Sequence, residues 1–146
     1  MLTFKKQIAS ALFATVKETF PAATLTEDTL LDMLEYPPDP AMGDLALPCF
    51  KLSKELRRSP MQIADMLCAA YAPVGECERA ESVKGYLNFY LNRAAFARRV
   101  CADIASKGDS YGSPNCGQGK VVVLDYSSPN VAKPFHIGHL GTTVIG

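Results

Sequence analysis

Residues 108–119 read GDSYGSPNCGQG. A stretch so rich in Gly, Ser, Pro and Asn continues neither a helix nor a strand ladder, and it marks a linker. It divides the 146-residue chain into two segments of different character. Residues 1–107 hold several amphipathic patterns in succession, enough for one compact domain of ordinary size. Residues 120–146 hold one apolar run, one loop and the start of one helical pattern, which is less than a domain.

In the first segment Phe4, Ile8, Leu12 and Val16 recur every four residues, a helical stripe facing a core, and Phe20-Pro21 ends it. Two lysines ahead of apolar residues superficially suggest a signal peptide, but Lys17 and Glu18 interrupt the run and no cleavage-type end follows. LLDMLEY, residues 30–36, reads as a strand. Pro37-Pro38-Asp39-Pro40 is an extended loop, and Gly43-Asp44 turns the chain into a second strand over 45–47. A helix over about 49–58 is basic on one side. The next helix has a legible start: Ser59 as N-cap, Pro60 at the first position and Gln62 closing a capping box. Ile63, Met66, Leu67 and Ala70 form its inward face, and Pro73 and Gly75 stop it. Residues 76–83 and YLNFYL (86–91) read as a hairpin with its tip at Lys84-Gly85. Asn92 caps a further helix with Phe96, Val100 and Ile104 inward, and Gly108 is a suitable C-cap. The order predicts an α+β domain, a small antiparallel sheet covered on one face by helices.

The second segment opens with Lys120 and then VVVLDY, a continuous run typical of a strand buried on both faces of a parallel sheet. The loop SSPNVAKPFHIGHL leads into a helix from about Gly138, so 120–146 reads as the first βα unit of a Rossmann-like α/β domain whose remainder is absent. Both histidines of the chain, His136 and His139, fall at that helix start. A helix N-terminus presents unpaired amide hydrogens and partial positive charge, which suits phosphate, and the carboxyl end of the first strand is where such sheets bind nucleotides. Taken alone, His-x-x-His is a weak signal: two helical histidines can be a surface pair, half of a metal site or a satisfied core pair. A metal site wants further ligands, and Asp125 is the one acid near in sequence.

Charge excludes little. Fifteen basic and fifteen acidic side chains cancel, so no bulk attraction to nucleic acid follows. The distribution is uneven: residues 26–44 carry six acids and no base, whereas 49–58 carry Lys51, Lys54, Arg57 and Arg58 against Glu55. That basic cluster reads as a solvated helix face or, against RNA, as a phosphate contact. Five cysteines (49, 68, 77, 101 and 116) without a C-x-x-C pair fit reduced thiols in a cytoplasmic protein. No apolar run approaches the roughly 20 residues that span a bilayer.

The text DYSSPNVAKPFHIGHL, residues 125–140, closely resembles the adenylate-forming signature of class I aminoacyl-tRNA synthetases, and its Ser-Pro-Asn-x-Ala-Lys-Pro lead-in selects the arginyl-tRNA synthetase family. Gly43-Asp44-Leu45-Ala46-Leu47-Pro48 and Gly85-Tyr86-Leu87-Asn88-Phe89 resemble segments of that family's additional N-terminal domain. The resemblance implies a ligase for protein biosynthesis that joins L-arginine to tRNA(Arg) with ATP as substrate. Mg2+ is expected on the nucleotide, with no protein-bound metal, no membrane and a full-length monomer. His136 and His139 would contact ATP phosphates and stabilise charge at the α-phosphorus. Gly138 would lie beneath adenine, and Lys133 would supply a phosphate-binding cation. Asp125, Ser127 and Asn130 would hold arginine near its amino end. Lys84, Tyr86 and Asn88 would meet a base of the tRNA D-loop; for Tyr86 ordinary hairpin packing is the competing reading. Many family members have Arg-Ser after the signature, where this sequence has Gly141-Thr142, which leaves any role for that arginine in doubt.

The resemblance therefore predicts a tRNA-binding domain at 1–107, a linker at 108–119 and the truncated start of a catalytic domain at 120–146, the 146-residue chain being inactive alone. A nucleotidyltransferase of the same superfold would carry its His-x-x-His loop near its N-terminus, without so long a domain ahead of it. A free-standing RNA- or protein-binding domain derived from a synthetase remains as the alternative, although a pure binding module has no use for the loop from Lys133 to His139.

Overall fold

The computed structural model describes residues 2–113, 115–127, 129 and 132–146. They fall into two units, Met1–Ser106 and Lys107–Gly146.

The first unit begins with helix α1, Leu2–Thr19, which buries Phe4, Ile8, Leu12 and Val16 along one face. Pro21, lacking an amide hydrogen, prevents its continuation. A second helix, α2, spans Glu27–Met33, where a strand over 30–36 is expected from the sequence. The helix wins there because its start is well made. The Thr26 hydroxyl accepts from the Thr29 amide at 3.2 Å, and Glu27 and Asp28 place negative charge in the first turn, where the helix dipole favours it. Only Glu35 takes part in the sheet, as an isolated bridge to Ala46.

After a 3-10 turn at Pro40–Met42, strand β1 spans Leu45–Pro48. Gly43 before it has φ +99°, and a Cβ there would stand 2.9 Å from the Phe89 carbonyl oxygen, so both conformation and space require glycine. The expected single helix at 49–58 is instead a 3-10 turn, Cys49–Lys51, and a short helix α3, Ser53–Leu56. Helix α4, Pro60–Ala70, carries the predicted capping box between Ser59 and Gln62. Its buried face is Ile63, Ala64 and Leu67, with Ala70 exposed. Strands β2 (Cys77–Val83) and β3 (Tyr86–Leu91) form the predicted hairpin. Its two turn residues, Lys84 and Gly85, both have positive φ, 49° and 84°, the twist that suits a two-residue hairpin.

The sheet is antiparallel throughout, in the order β1-β3-β2. Leu45 pairs with Phe89 and Leu47 with Leu87, and these four side chains are fully buried with Phe4, Ile8, Leu12, Ile63 and Leu67. Each such burial contributes roughly 1.5–3 kcal/mol. Cys49, in the same core, is pushed up to about 12 by burial. Burial likewise raises the Tyr71 phenol and the Cys77 thiol; Tyr71 sits edge-on to Phe89 with ring centroids 5.1 Å apart.

Helix α5, Arg93–Lys107, starts on the predicted Asn92 cap, whose side-chain oxygen accepts from the Ala95 amide at 2.9 Å. The expected core stripe does not form. Phe96 packs partly against the core, whereas Ile104 is exposed, because α4 already packs on the sheet and α1 on α4. What fastens α5 is polar: the Arg99 guanidinium donates to the nearly buried Glu76 carboxylate at 2.5 Å.

The second unit holds 3-10 turns at Gly108–Ser110 and Asn115–Gly117 and one helix, α6, Ile137–Ile145. The strand expected at 121–126 is not formed. Those residues lie outside any ladder among the described residues, and Val121 to Leu124 are 76–89% exposed. A strand of the parallel kind needs neighbours on both edges and cover on both faces.

Candidate nucleic-acid and nucleotide sites

Side chains alternate across a strand, so Ala46, Tyr86, Asn88 and Tyr90 project from the sheet face opposite the helices. There a cavity of about 280 Å³ opens. Lys84, Tyr86 and Asn88, the three residues singled out for RNA contact, all line it, facing Pro37, Pro38 and Met42 from the loop before β1. Two backbone bonds of 2.9 Å between Glu35 and Ala46 tie that loop to the sheet edge. Asn88 is 4% exposed on the central strand. Tyr86 is held edge-to-face by Phe50, with centroids 5.5 Å apart and planes at 80°. A neutral amide beside an aromatic ring and apolar walls suits a flat heterocycle with a polar edge, as an unpaired base has.

The second site is the start of α6. His136 is its N-cap, in extended conformation, and its Nδ1 accepts from the Gly138 amide at 3.1 Å. In return His139 Nδ1 accepts from the His136 amide at 3.2 Å. The two histidines thus form a reciprocal capping box, a role usually filled by Ser and Glu. Their rings stack, with centroids 3.9 Å apart and planes at 26°. A Cβ at Gly138 would come within 3.0 Å of His136 Cε1, so glycine leaves room for that ring. Because both Nδ1 atoms accept, the proton of a neutral ring belongs on Nε2, which leaves one N–H per ring for an acceptor other than the backbone.

Other predicted residues of this unit are placed less tightly. Ser127, at φ +57°, lies 3.0 Å from the Thr143 hydroxyl, which is also 2.9 Å from the His139 carbonyl. Asp125 shares an open hollow of about 400 Å³ with Tyr126, Thr142 and Ile145. Lys133 is exposed, and Asn130 lies outside the described residues. Thr142 donates to the His139 carbonyl at 2.9 Å. Among the described residues no three His, Cys, Asp or Glu side chains group as metal ligands.

Residues 3–91, more than half of the chain, match the family model described as arginyl tRNA synthetase N terminal domain. The chain belongs to the arginyl-tRNA synthetase family. Residues 101–146 match the model for the catalytic domain of class I (R) tRNA synthetases. The chain is 44% identical over all its 146 residues to an arginine–tRNA ligase of Alkaliphilus metalliredigens, covering 25% of that protein. It is 49% identical over 119 residues to one of Clostridium botulinum, 82% of this chain and 21% of that one. Among solved structures, Thermus thermophilus arginyl-tRNA synthetase aligns with a TM-score of 0.54 and 30% identity, over 65% of this chain and 15% of that one. The chain therefore spans about a quarter of the length of the curated relatives it matches.

Sequence reasoning missed the far wall of the Tyr86–Asn88 cavity. Pro37, Pro38 and Met42 lie more than forty positions before Asn88, and the Pro-Pro pair read as a loop without a role. The one local signal was Gly43-Asp44: the Asp44 amide donates to the Phe89 carbonyl at 2.9 Å and its carboxylate accepts from the Leu91 amide at 2.8 Å, which registers that loop on β3.

Proposed function

We propose that this chain is the N-terminal part of an arginine–tRNA ligase, in which residues 1–107 dock on the tRNA D-loop, 108–119 link, and 120–146 begin the catalytic nucleotide fold. The reaction activates L-arginine with ATP and transfers it to tRNA(Arg). The observation that carries this reading is the reciprocal His136–His139 cap, which fixes two stacked imidazoles at a helix N-terminus with both Nδ1 atoms turned to backbone amides. As the arginine carboxylate attacks the α-phosphorus, negative charge grows on the phosphate oxygens and diphosphate departs. Donors already aimed stabilise that charge without reorganisation, and the amide dipoles at the start of α6 add to them. Lys133 contributes a mobile cation, and Asp125, Ser127 and Asn130 hold the substrate's amino end. ATP enters as its Mg2+ complex, the metal held chiefly by the phosphates.

In the N-terminal unit an unpaired D-loop base enters the cavity, with its polar edge on Asn88, its ring against Tyr86 and a phosphate near Lys84. Such docking would couple tRNA binding to activation in a cytoplasmic, monomeric enzyme. No helix among the described residues is long and apolar enough to cross a membrane. The decisive experiment measures arginine-dependent ATP–diphosphate exchange, with tRNA present, in an enzyme carrying these residues within a complete catalytic domain. Replacing His136 or His139 by Ala is expected to lower the exchange rate by about 10²–10³-fold, the scale for losing one aimed donor. The 146-residue chain alone is expected to show none. Unchanged exchange in both variants refutes the reading.

A further inference from the structure

We infer that Phe50 is a second stacking surface for RNA, taking the nucleotide adjacent to the one whose base enters the Tyr86–Asn88 cavity. The inference rests on the D-loop reading above and extends it to a residue outside the cavity. Phe50 is 50% exposed, although it sits in a 3-10 turn whose neighbours Cys49 and Leu52 are fully buried. Its position is fixed. The Cys49 amide donates to the Gly85 carbonyl at 3.0 Å, which docks this turn onto the hairpin tip, and the Phe50 ring meets Tyr86 at 80°. The two rings therefore form a step, one beside the cavity and one open to solvent.

The chemistry around the step fits an RNA strand. Lys84 lines the cavity with Tyr86, and Lys51, the residue after Phe50, lies 3.4 Å from Glu35, which lines the same cavity. Glu35 is the acid lining this cavity, whereas Glu55, whose carboxylate is taken by the Thr24 amide and hydroxyl at 2.9 and 2.8 Å, lines a separate hollow with Arg57. Cations beside paired aromatics are the arrangement by which proteins hold successive unpaired nucleotides: each base stacks on a ring, and the backbone follows the positive charge. Lys51 and Lys84 thereby gain a partner of definite chemistry, a single-stranded RNA segment with one base inserted and the next stacked outside.

The test is a binding titration with an arginine tRNA transcript, whole or made abasic at one D-loop position at a time. Transcripts are compared on the wild-type chain, Phe50→Leu, Phe50→Tyr and Tyr86→Leu, each checked for native circular dichroism. Phe50→Leu is expected to weaken binding about tenfold, the scale of one base–aromatic stack, and Phe50→Tyr to retain it. One abasic position should erase the difference between wild type and Phe50→Leu, and its neighbour the difference between wild type and Tyr86→Leu. Equal binding by Phe50→Leu and wild type overturns the inference. So does a loss erased by the same abasic position as that of Tyr86→Leu, since Phe50 would then only orient Tyr86. A Tyr86→Leu chain that binds every transcript like wild type defeats the cavity reading itself, separately from the role of Phe50.

Discussion

Phe89 and Val123 are both apolar residues of runs that read as strands in the sequence, yet Phe89 is fully buried and Val123 is 86% exposed. Phe89 lies on a central strand whose neighbours on both sides complete its ladder, with α4 packed across the sheet. Val123 belongs to a run of higher β-propensity, but no strand among the described residues pairs with it. The same contrast separates the helices. Helix α1 buries six residues and α6 buries none, although α6 is the more apolar. Propensity and hydrophobicity therefore did not decide which segment is locked in place. Partners did, and the first unit contains its own. The start of α6 is ordered by local means, two imidazoles and two backbone amides, and needs no core.

The contrast is most severely tested by Phe89→Ala, which should cost the first unit about 3–5 kcal/mol. Hydrogen exchange of peptides from residues 77–91 would report it as a loss of protection, and unaltered protection there would mean that the sheet is not the centre of stability. A smaller effect is expected with pH. Cys49 ionises near 9 when unfolded but is pushed up to about 12 by burial, so the folded state retains a proton that the unfolded chain releases. The stabilisation is complete below pH 9 and declines between about 9 and 12, by up to ~1.4 kcal/mol per pH unit. Denaturant midpoints measured across that range should fall less steeply in Cys49→Ala. At the small end, Val144→Thr on α6, at a site 76% exposed, should change stability by less than about 0.5 kcal/mol. A large loss would show that α6 is packed after all.

Much of the fold was legible where the deciding contacts are near in sequence. The Ser59–Gln62 capping box, the Lys84-Gly85 turn, the α1 stripe and the Asn92 cap each involve residues a few positions apart, and each forms as the pattern predicts. The two histidines were legible as a pair at a helix start; their reciprocal use of Nδ1 was not, because rotamers are not written in a motif. Residues 30–36 misled because a short apolar run broken by acids satisfies either period. There the Thr26 cap tipped the balance toward helix, and a bridge to Ala46 claimed Glu35.

The sequence by itself determined family membership and the order of most elements, since these rest on motif text, spacing and local hydrogen bonding. Only tertiary structure decided that Lys84, Tyr86 and Asn88 share a cavity with Pro37, Pro38 and Met42, that Phe50 stands beside it, and that VVVLDY forms no strand here. Those outcomes depend on backbone bonds and packing between residues far apart in the chain. Such pairings are settled by the free energy of the whole assembly, which no short window of residues contains.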